Sequence, residues 1–180
     1  MPPMMPRKIF FVKGIGTHRS KLGSFENALR SAEIAKYNLV EVSSIFPPYA
    51  ELVDKEEGLK ELKAGQILHL VMARNSSDEF NRLITASVGL AIPRNRTMYG
   101  YLSEHHSFGE TPEDSGKFAE ELAAEMLAST MGLDSYQLDE NGKFRLNDAI
   151  LLTSNVTASS TVKKIGEWTT VVAAAVMILG

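Results

Sequence analysis

Apolar and polar positions alternate or cluster in short stretches, and that pattern predicts most of the elements. Ile9-Phe10-Phe11-Val12-Lys13 reads as a strand ending in a flexible turn, Gly14-Ile15-Gly16. From Ser24 the period changes. Phe25, Leu29, Ala32 and Ala35 recur at helical spacing between Glu26, Arg30, Glu33 and Lys36. A helix capped by Ser24 and ending near Tyr37-Asn38 is expected. Leu39-Val40-Glu41-Val42 then returns to strand and runs into Ser43-Ser44-Ile45-Phe46-Pro47-Pro48. Residues 50–53 read as a short extended piece. Residues 54–63 read as a solvated turn or short helix that Gly65 ends.

Further strands are expected at 66–74, 85–93 and 97–104, with turns at 75–78 and 93–96 and a loop at 105–109. Thr111-Pro112-Glu113-Asp114 opens the clearest helix, with a threonine cap, proline in the first turn and acids at the positive end of the dipole. Its expected apolar stripe is Phe118, Leu122, Met126 and Met131, with Ala119, Ala123 and Ala128, and Gly132 is the stop. Asn141-Gly142 predicts a hairpin turn between 136–138 and 144–146. Residues 147–156 are mixed and end as strand, 157–161 are rich in serine and threonine, and 168–179 close the chain as strand. Consecutive strands with two clear helices favour an α+β fold with layered sheets, in one domain over 1–180.

Composition narrows the chemistry. The 180 residues are 44% apolar and 23% charged, with a net charge of -3 and no basic block, so a nucleic-acid surface is not expected. There is no cysteine, which removes disulfides, thiolate catalysis and thiolate metal sites. His18, His69, His105 and His106 lack metal-site spacing, so no metal is expected. His69, inside an apolar run, reads as a hydrogen-bonded core histidine. Gly14-Ile15-Gly16 lacks the further glycine or the Gly-Lys-Ser/Thr of a nucleotide loop. The proline-rich start is unlike a signal peptide, and the apolar run 171–179 is too short for a membrane helix. A cytoplasmic protein without membrane contact is expected.

One stretch stands apart. Two serines end an apolar run and two prolines follow at once. By itself this is a strand end before a proline turn. Taken together, Ser24-Phe25-Glu26-Asn27-Ala28-Leu29, Asn38 through Pro48, 87–94, 98–104 and the helix after them resemble the pyruvoyl-dependent arginine decarboxylase family. The resemblance covers most of the chain from Ile9 to the helix near Met131. It loosens over 135–160, whose role is left open, and resumes in the alanine-rich last strand.

The resemblance implies a four-layer αββα sandwich and a homotrimer of processed units with active sites between subunits. It implies autocatalytic cleavage between Ser43 and Ser44 into a β chain, 1–43, and an α chain, 44–180. Ser44 then becomes the pyruvoyl cofactor, with neither pyridoxal phosphate nor metal. A β-hydroxyl is needed at Ser44 because the same oxygen must attack the Ser43 carbonyl and later leave. The implied reaction is decarboxylation of L-arginine to agmatine and carbon dioxide through a Schiff base. Asn38 is the implied polarising residue in processing, Glu104 the implied proton donor, and Glu26 the implied carboxylate for the substrate guanidinium. Glu26 stands where the family carries an aspartate, which bears on substrate identity. A solvent-facing glutamate at a strand end competes for Glu104, and an exposed helix residue for Glu26. The alternatives for the whole chain are a pyruvoyl decarboxylase of another amino acid such as histidine, and an unprocessed, non-catalytic trimer of the same fold.

Overall fold

A computed structural model describes residues 4–132, 137–138, 144–145 and 149–180. In chain order the elements are β1 (Pro6–His18), α1 (Lys21–Ser31), β2 (Asn38–Glu41), β3 (Ile45–Phe46), β4 (Glu51–Leu52), α2 (Lys55–Lys60), β5 (Ile67–Ser77), β6 (Leu83–Pro93), β7 (Gly100–Phe108), α3 (Pro112–Thr130), β8 (Gln137–Leu138), β9 (Phe144–Arg145), β10 (Ile150–Thr161) and β11 (Trp168–Leu179). The alternating and apolar runs all become strands. Residues 168–179 match their expected bounds, and Thr111 caps α3 by accepting from the Asp114 N–H.

The glycine-rich turn expected at 14–16 is instead strand. β1 continues through it to His18 and pairs antiparallel with β11 down to His18↔Trp168. The glycines are there for contact. A Cβ on Gly14 would overlap the Ala28 carbonyl, and one on Gly16 would overlap backbone atoms of Ser24 and Ala28. Helix α1 lies directly on the strand at these two points. Gly16→Ala therefore forces helix and strand apart. Such overpacking costs about 1–3 kcal/mol, and a correspondingly lower thermal unfolding midpoint is expected. An unchanged midpoint would mean that the helix can lift at no cost.

Helix α1 also starts and stops earlier than the periodicity suggests. Ser20, not Ser24, is the cap, accepting from Gly23 N–H at 3.2 Å. Ser24 is fully buried and bonds Thr170 Oγ1 at 2.7 Å. The helix ends at Ser31, and Glu33 takes a left-handed φ of 66°. The turn expected at 75–78 is the end of β5, and the loop expected at 105–109 is the end of β7. Both carry polar residues that their neighbours satisfy, as where Asn75 Nδ2 donates to the Ser107 carbonyl at 2.8 Å. The Ser/Thr-rich piece is the second half of β10, paired with β6 out to Thr161↔Leu83. β8 and β9 pair antiparallel as expected. The Asn141-Gly142 turn between them lies outside the described residues.

Apart from the two-stranded β8–β9 pair, the described strands form two sheets, with strand orders β2-β5-β11-β1-β4 and β10-β6-β7-β3. Successive side chains point to opposite faces of a sheet; β6 and β11 bury both faces nearly throughout, and three clusters absorb the buried side chains. Ile9, Val71, Val171, Ala173 and Ala175 of the first sheet meet Ile84, Val88, Leu90 and Leu102 of the second. Helix α1, through Ala28 and Leu29, and its C-terminal cap Ala32 pack with Phe10, Val12, Leu70 and Val172 on the outer face of the first sheet. Helix α3, through Ala123, Ala124, Leu127 and Ala128, packs with Ala91 of the second. The stripe on α3 differs from expectation. Its alanines and Leu127 are buried, whereas Phe118 is 49% exposed. The reason is again close approach, since a Cβ on Gly89 of β6 would overlap the Ala119 carbonyl. Large side chains do not fit between backbones that near. The fold is a single α+β domain. Among the described residues no helix is long and apolar enough to cross a membrane.

Candidate active site

The two serines sit where the chain passes from one sheet to the other. β2 is an edge strand of the first sheet, paired parallel to β5. Its pairing ends where Val42 N–H donates to the Leu70 carbonyl at 2.9 Å. Two residues later the Ser44 carbonyl accepts from Leu102 N–H at 2.8 Å, which begins the pairing of β3 with β7 in the second sheet. The Ser43–Ser44 peptide bond spans the gap. Ser43 is exposed, and Ser44 is half-buried at a bend. The Ser43 carbonyl accepts from Ile45 N–H at 3.0 Å, closing a three-residue turn across Ser44. A backbone donor is thus already aimed at the oxygen that would gain charge if the Ser44 hydroxyl attacked that carbonyl. Nothing in the sequence signals this donor, because a turn's hydrogen bond depends on backbone angles.

Glu104 lies on β7 opposite Val88. Alternation puts it on the same face of β7 as Leu102, which belongs to the core between the sheets. The side chain has open surface in the single chain, but protein on its other side partly strips it of water. That desolvation, and secondarily the Glu41 carboxylate from the end of β2, push the Glu104 carboxyl above the usual range. The site thus holds a carboxyl biased toward its protonated form beside the crossing chain. Glu41 is a neighbour that sequence reasoning missed, since its strand pairs with a different sheet. The next residue, His105, bonds Glu110 at 2.9 Å and rests on Phe118 with ring centroids 4.4 Å apart. The hydrogen bond from His105, and then one from Ser107, hold the Glu110 carboxyl below the usual range.

Asn38 and Glu26 lie elsewhere in the single chain. Asn38 donates its amide to the Gly65 carbonyl at 2.7 Å. It precedes Val42 by four residues of strand, about 13 Å at roughly 3.3 Å per residue. Within one chain it anchors the start of β2 and does not reach the Ser43 carbonyl. Glu26 projects from α1, outside the first sheet, and pairs with Arg30 one turn on at 3.1 Å. Neither residue is brought to Ser44 by the fold of one chain.

A pocket of about 480 Å³ opens beside the crossing, lined by Val40, Val42, Ser43, Ile45, His69 and Met177 among others. His69 departs from expectation. Its Nδ1 is buried without a hydrogen-bond partner among the described residues. Among the described residues no group of three or more His, Asp or Glu could hold a metal ion.

The crossing thus brings together an exposed peptide bond, a serine hydroxyl on its C-terminal side, a donor on its carbonyl and, two residues along β7 from the Leu102 contact, a carboxyl biased toward its protonated form. Comparison with known proteins supplies the family. The pyruvoyl-dependent arginine decarboxylase family profile matches residues 8–179. A pyruvoyl-dependent arginine decarboxylase of Thermoplasma volcanium is 55% identical over 99% of this chain and 100% of its own length. One of Picrophilus torridus is 55% identical over 88% of each chain, and a probable one of Chlorobaculum parvum is 53% identical over 97% of this chain and 98% of its own. The chain belongs to the pyruvoyl-dependent arginine decarboxylase family. It is accordingly a decarboxylase, a carbon–carbon lyase, of the kind that uses a covalently bound pyruvoyl group and not pyridoxal phosphate. Ser44 fits that group: it is half-buried at the crossing, and its neighbours on both sides are held by separate sheets.

Proposed function

We propose that the chain cuts itself between Ser43 and Ser44, and that the resulting α chain decarboxylates L-arginine to agmatine and carbon dioxide. The observation that carries this reading is the position of that peptide bond, between two sheets with Ile45 N–H on its carbonyl. The hydroxyl of Ser44 adds to the Ser43 carbonyl carbon, and the amide becomes an ester. Ile45 N–H steadies the oxygen that carries the charge. Elimination then releases Ser43 as a carboxylate, and hydrolysis leaves a ketone at residue 44.

The pyruvoyl group supplies a ketone for the substrate amine and a conjugated carbonyl to take up electrons as carbon dioxide leaves. The remaining work falls to side chains. Glu104, protonated more readily than an ordinary glutamate, gives a proton to the substrate α-carbon. Glu26 binds the guanidinium of arginine. In the single chain Arg30 already presents a guanidinium nitrogen to it, so the carboxylate is matched to this chemistry and exchanges an exposed partner for the substrate. Asn38 serves processing by holding the start of β2, and with it the approach to Ser43.

The order α1, first sheet, second sheet, α3 supports a four-layer αββα sandwich. Glu26 lies outside the first sheet and Ser44 at its edge, so one active site takes Glu26 and Ser44 from neighbouring copies. A homotrimer meets that need, and a cytoplasmic location suits the substrate.

Mass spectrometry of the purified protein tests the reading directly. Two chains, 1–43 and 44–180, are expected, with a borohydride-reducible ketone on the longer. One intact chain without the ketone sinks it and leaves the non-catalytic trimer. Carbon dioxide release measured across arginine, histidine, ornithine and aspartate settles the substrate. Glu26→Ala should raise KM for arginine about 10- to 100-fold, the loss of a charged hydrogen bond worth about 1.5–3 kcal/mol, with a smaller effect on kcat. An unchanged KM would remove Glu26 from the substrate site.

A further inference from the structure

The pocket at the crossing is apolar except at two points. Of the described residues that line it, His69 alone has an ionisable side chain, and Ser43 is the one other with a polar side chain. His69 is carried by β5, directly across from Val40 of β2 in the parallel register and from Met177 of β11 in the antiparallel one. Alternation sets it on the same face of β5 as Val71, the face turned to the second sheet. Its Nδ1 is buried and unpartnered, which is rare for a buried ring nitrogen and calls for an explanation. An unpaired lone pair is tolerated better than an unpaired N–H. In the tautomer that carries its proton on Nε2, Nδ1 is the lone-pair nitrogen of the ring.

Cleavage at Ser43–Ser44 makes two demands on this pocket. A base must remove the Ser44 α-proton, and the Ser43 carboxylate needs a counter-charge beside a pocket whose other lining is apolar. We propose that His69 meets both, as a further catalytic residue of the processing reaction. This rests on the self-cleavage reading above. In the ester intermediate the Ser43 acyl group is joined to Ser44 Oγ. His69 accepts the Ser44 α-proton. The electrons of that C–H bond form the Cα–Cβ double bond, and the Cβ–Oγ bond breaks with its pair going to oxygen. Ser43 leaves as a carboxylate and residue 44 becomes dehydroalanine with a free amine. Imidazolium and carboxylate are thus born together in one apolar pocket, each the counter-charge of the other. Tautomerisation of the enamine, addition of water and loss of ammonia complete the ketone without further need of His69.

The test is His69→Gln and His69→Ala in the full-length chain, followed by the rate at which purified uncut chain becomes the two pieces. Both variants should cut at least 100-fold more slowly than the parent. They should accumulate a full-length chain that hydroxylamine splits at residue 43, the signature of the stalled ester. Added imidazole should restore cutting to His69→Ala, which leaves room for it, and not to His69→Gln. The same substitutions placed in a Ser44→Ala chain report on folding alone, through the thermal midpoint. Variants that fold normally and cut at the parental rate, or a slow His69→Ala chain that imidazole does not rescue, would overturn the proposal. A parental chain that never cuts would instead refute the self-cleavage reading itself, so the two failures are distinct.

Discussion

Ser44→Ala gives a folded, full-length, uncut chain that releases no carbon dioxide from arginine. Two arguments lead there. The first concerns structure. The Ser44 backbone carbonyl, not its hydroxyl, bonds Leu102 and starts the β3–β7 pairing. Removing Oγ leaves that bond in place, and at a half-buried position the change in stability should stay within about 0.5 kcal/mol. The second concerns chemistry. Alanine has no oxygen to attack the Ser43 carbonyl and none to leave, so neither the ester nor the ketone can form. Without the ketone there is no electron sink. The rate should fall to that of the uncatalysed reaction, a loss of about a million-fold or more. Gel electrophoresis and labelled carbon dioxide release measure the two outcomes separately. Arginine decarboxylation by the alanine variant would falsify the mechanism.

Glu104→Gln should behave in the opposite way with respect to processing. The chain still cuts, but kcat falls by about 10²- to 10⁴-fold, the usual contribution of a positioned general acid. The pH dependence carries the sharper signature. Desolvation, and then Glu41, raise the Glu104 carboxyl, so it stays protonated to a higher pH than an ordinary glutamate. In the proposed mechanism the protonated form is the donor. Activity of the parent should therefore decline as pH rises through that raised value, and the residual activity of the glutamine variant should lack this limb. Stability has the same sign. A carboxyl raised in the folded state favours folding at low pH, and that contribution is lost as pH rises through its folded value. Above that value the charged Glu104 faces Glu41 with partial desolvation. Glu104→Gln should unfold at an equal or higher temperature than the parent there. A kcat unchanged by the substitution would assign the proton to another group.

Much of this was legible in the residues, for reasons that can be named. Alternation and apolar runs marked nearly every long strand, because each has two buried faces or one. The cap and proline of Thr111-Pro112 marked α3, because helix ends are local chemistry. Misreadings gathered where the determining contact is distant. Gly14 and Gly16 looked like a turn because glycine is the common turn residue. Here its job is to let α1 lie on β1, and the strand gives no sign of a helix above it. The polar ends of β5 and β7 looked like loops because their hydrogen-bond partners lie on other strands. At the site, Ser43-Ser44 and Glu104 stood out through resemblance, not pattern. The approach of Glu41 to Glu104 joins a strand of one sheet to a strand of the other. His69 was read as an ordinary core histidine, and only the packed neighbourhood exposes its unpaired nitrogen.

If the chain cuts itself between Ser43 and Ser44 as proposed, the strand order of the first sheet decides what becomes of the two pieces. Residues 1–43 contribute β1 and β2, and these are not neighbours, since β5 and β11 lie between them. Every strand that flanks β1 or β2 (β11, β4 and β5) belongs to residues 44–180. The short piece is therefore threaded through the long one and has no sheet of its own. Breaking one peptide bond leaves all the ladders intact, so the cut protein stays assembled without a covalent tie. The history of the chain becomes irreversible instead. Before cutting, folding is a first-order event within one molecule. After cutting, a denatured sample must find its partner by collision, and recovery becomes second order in protein concentration.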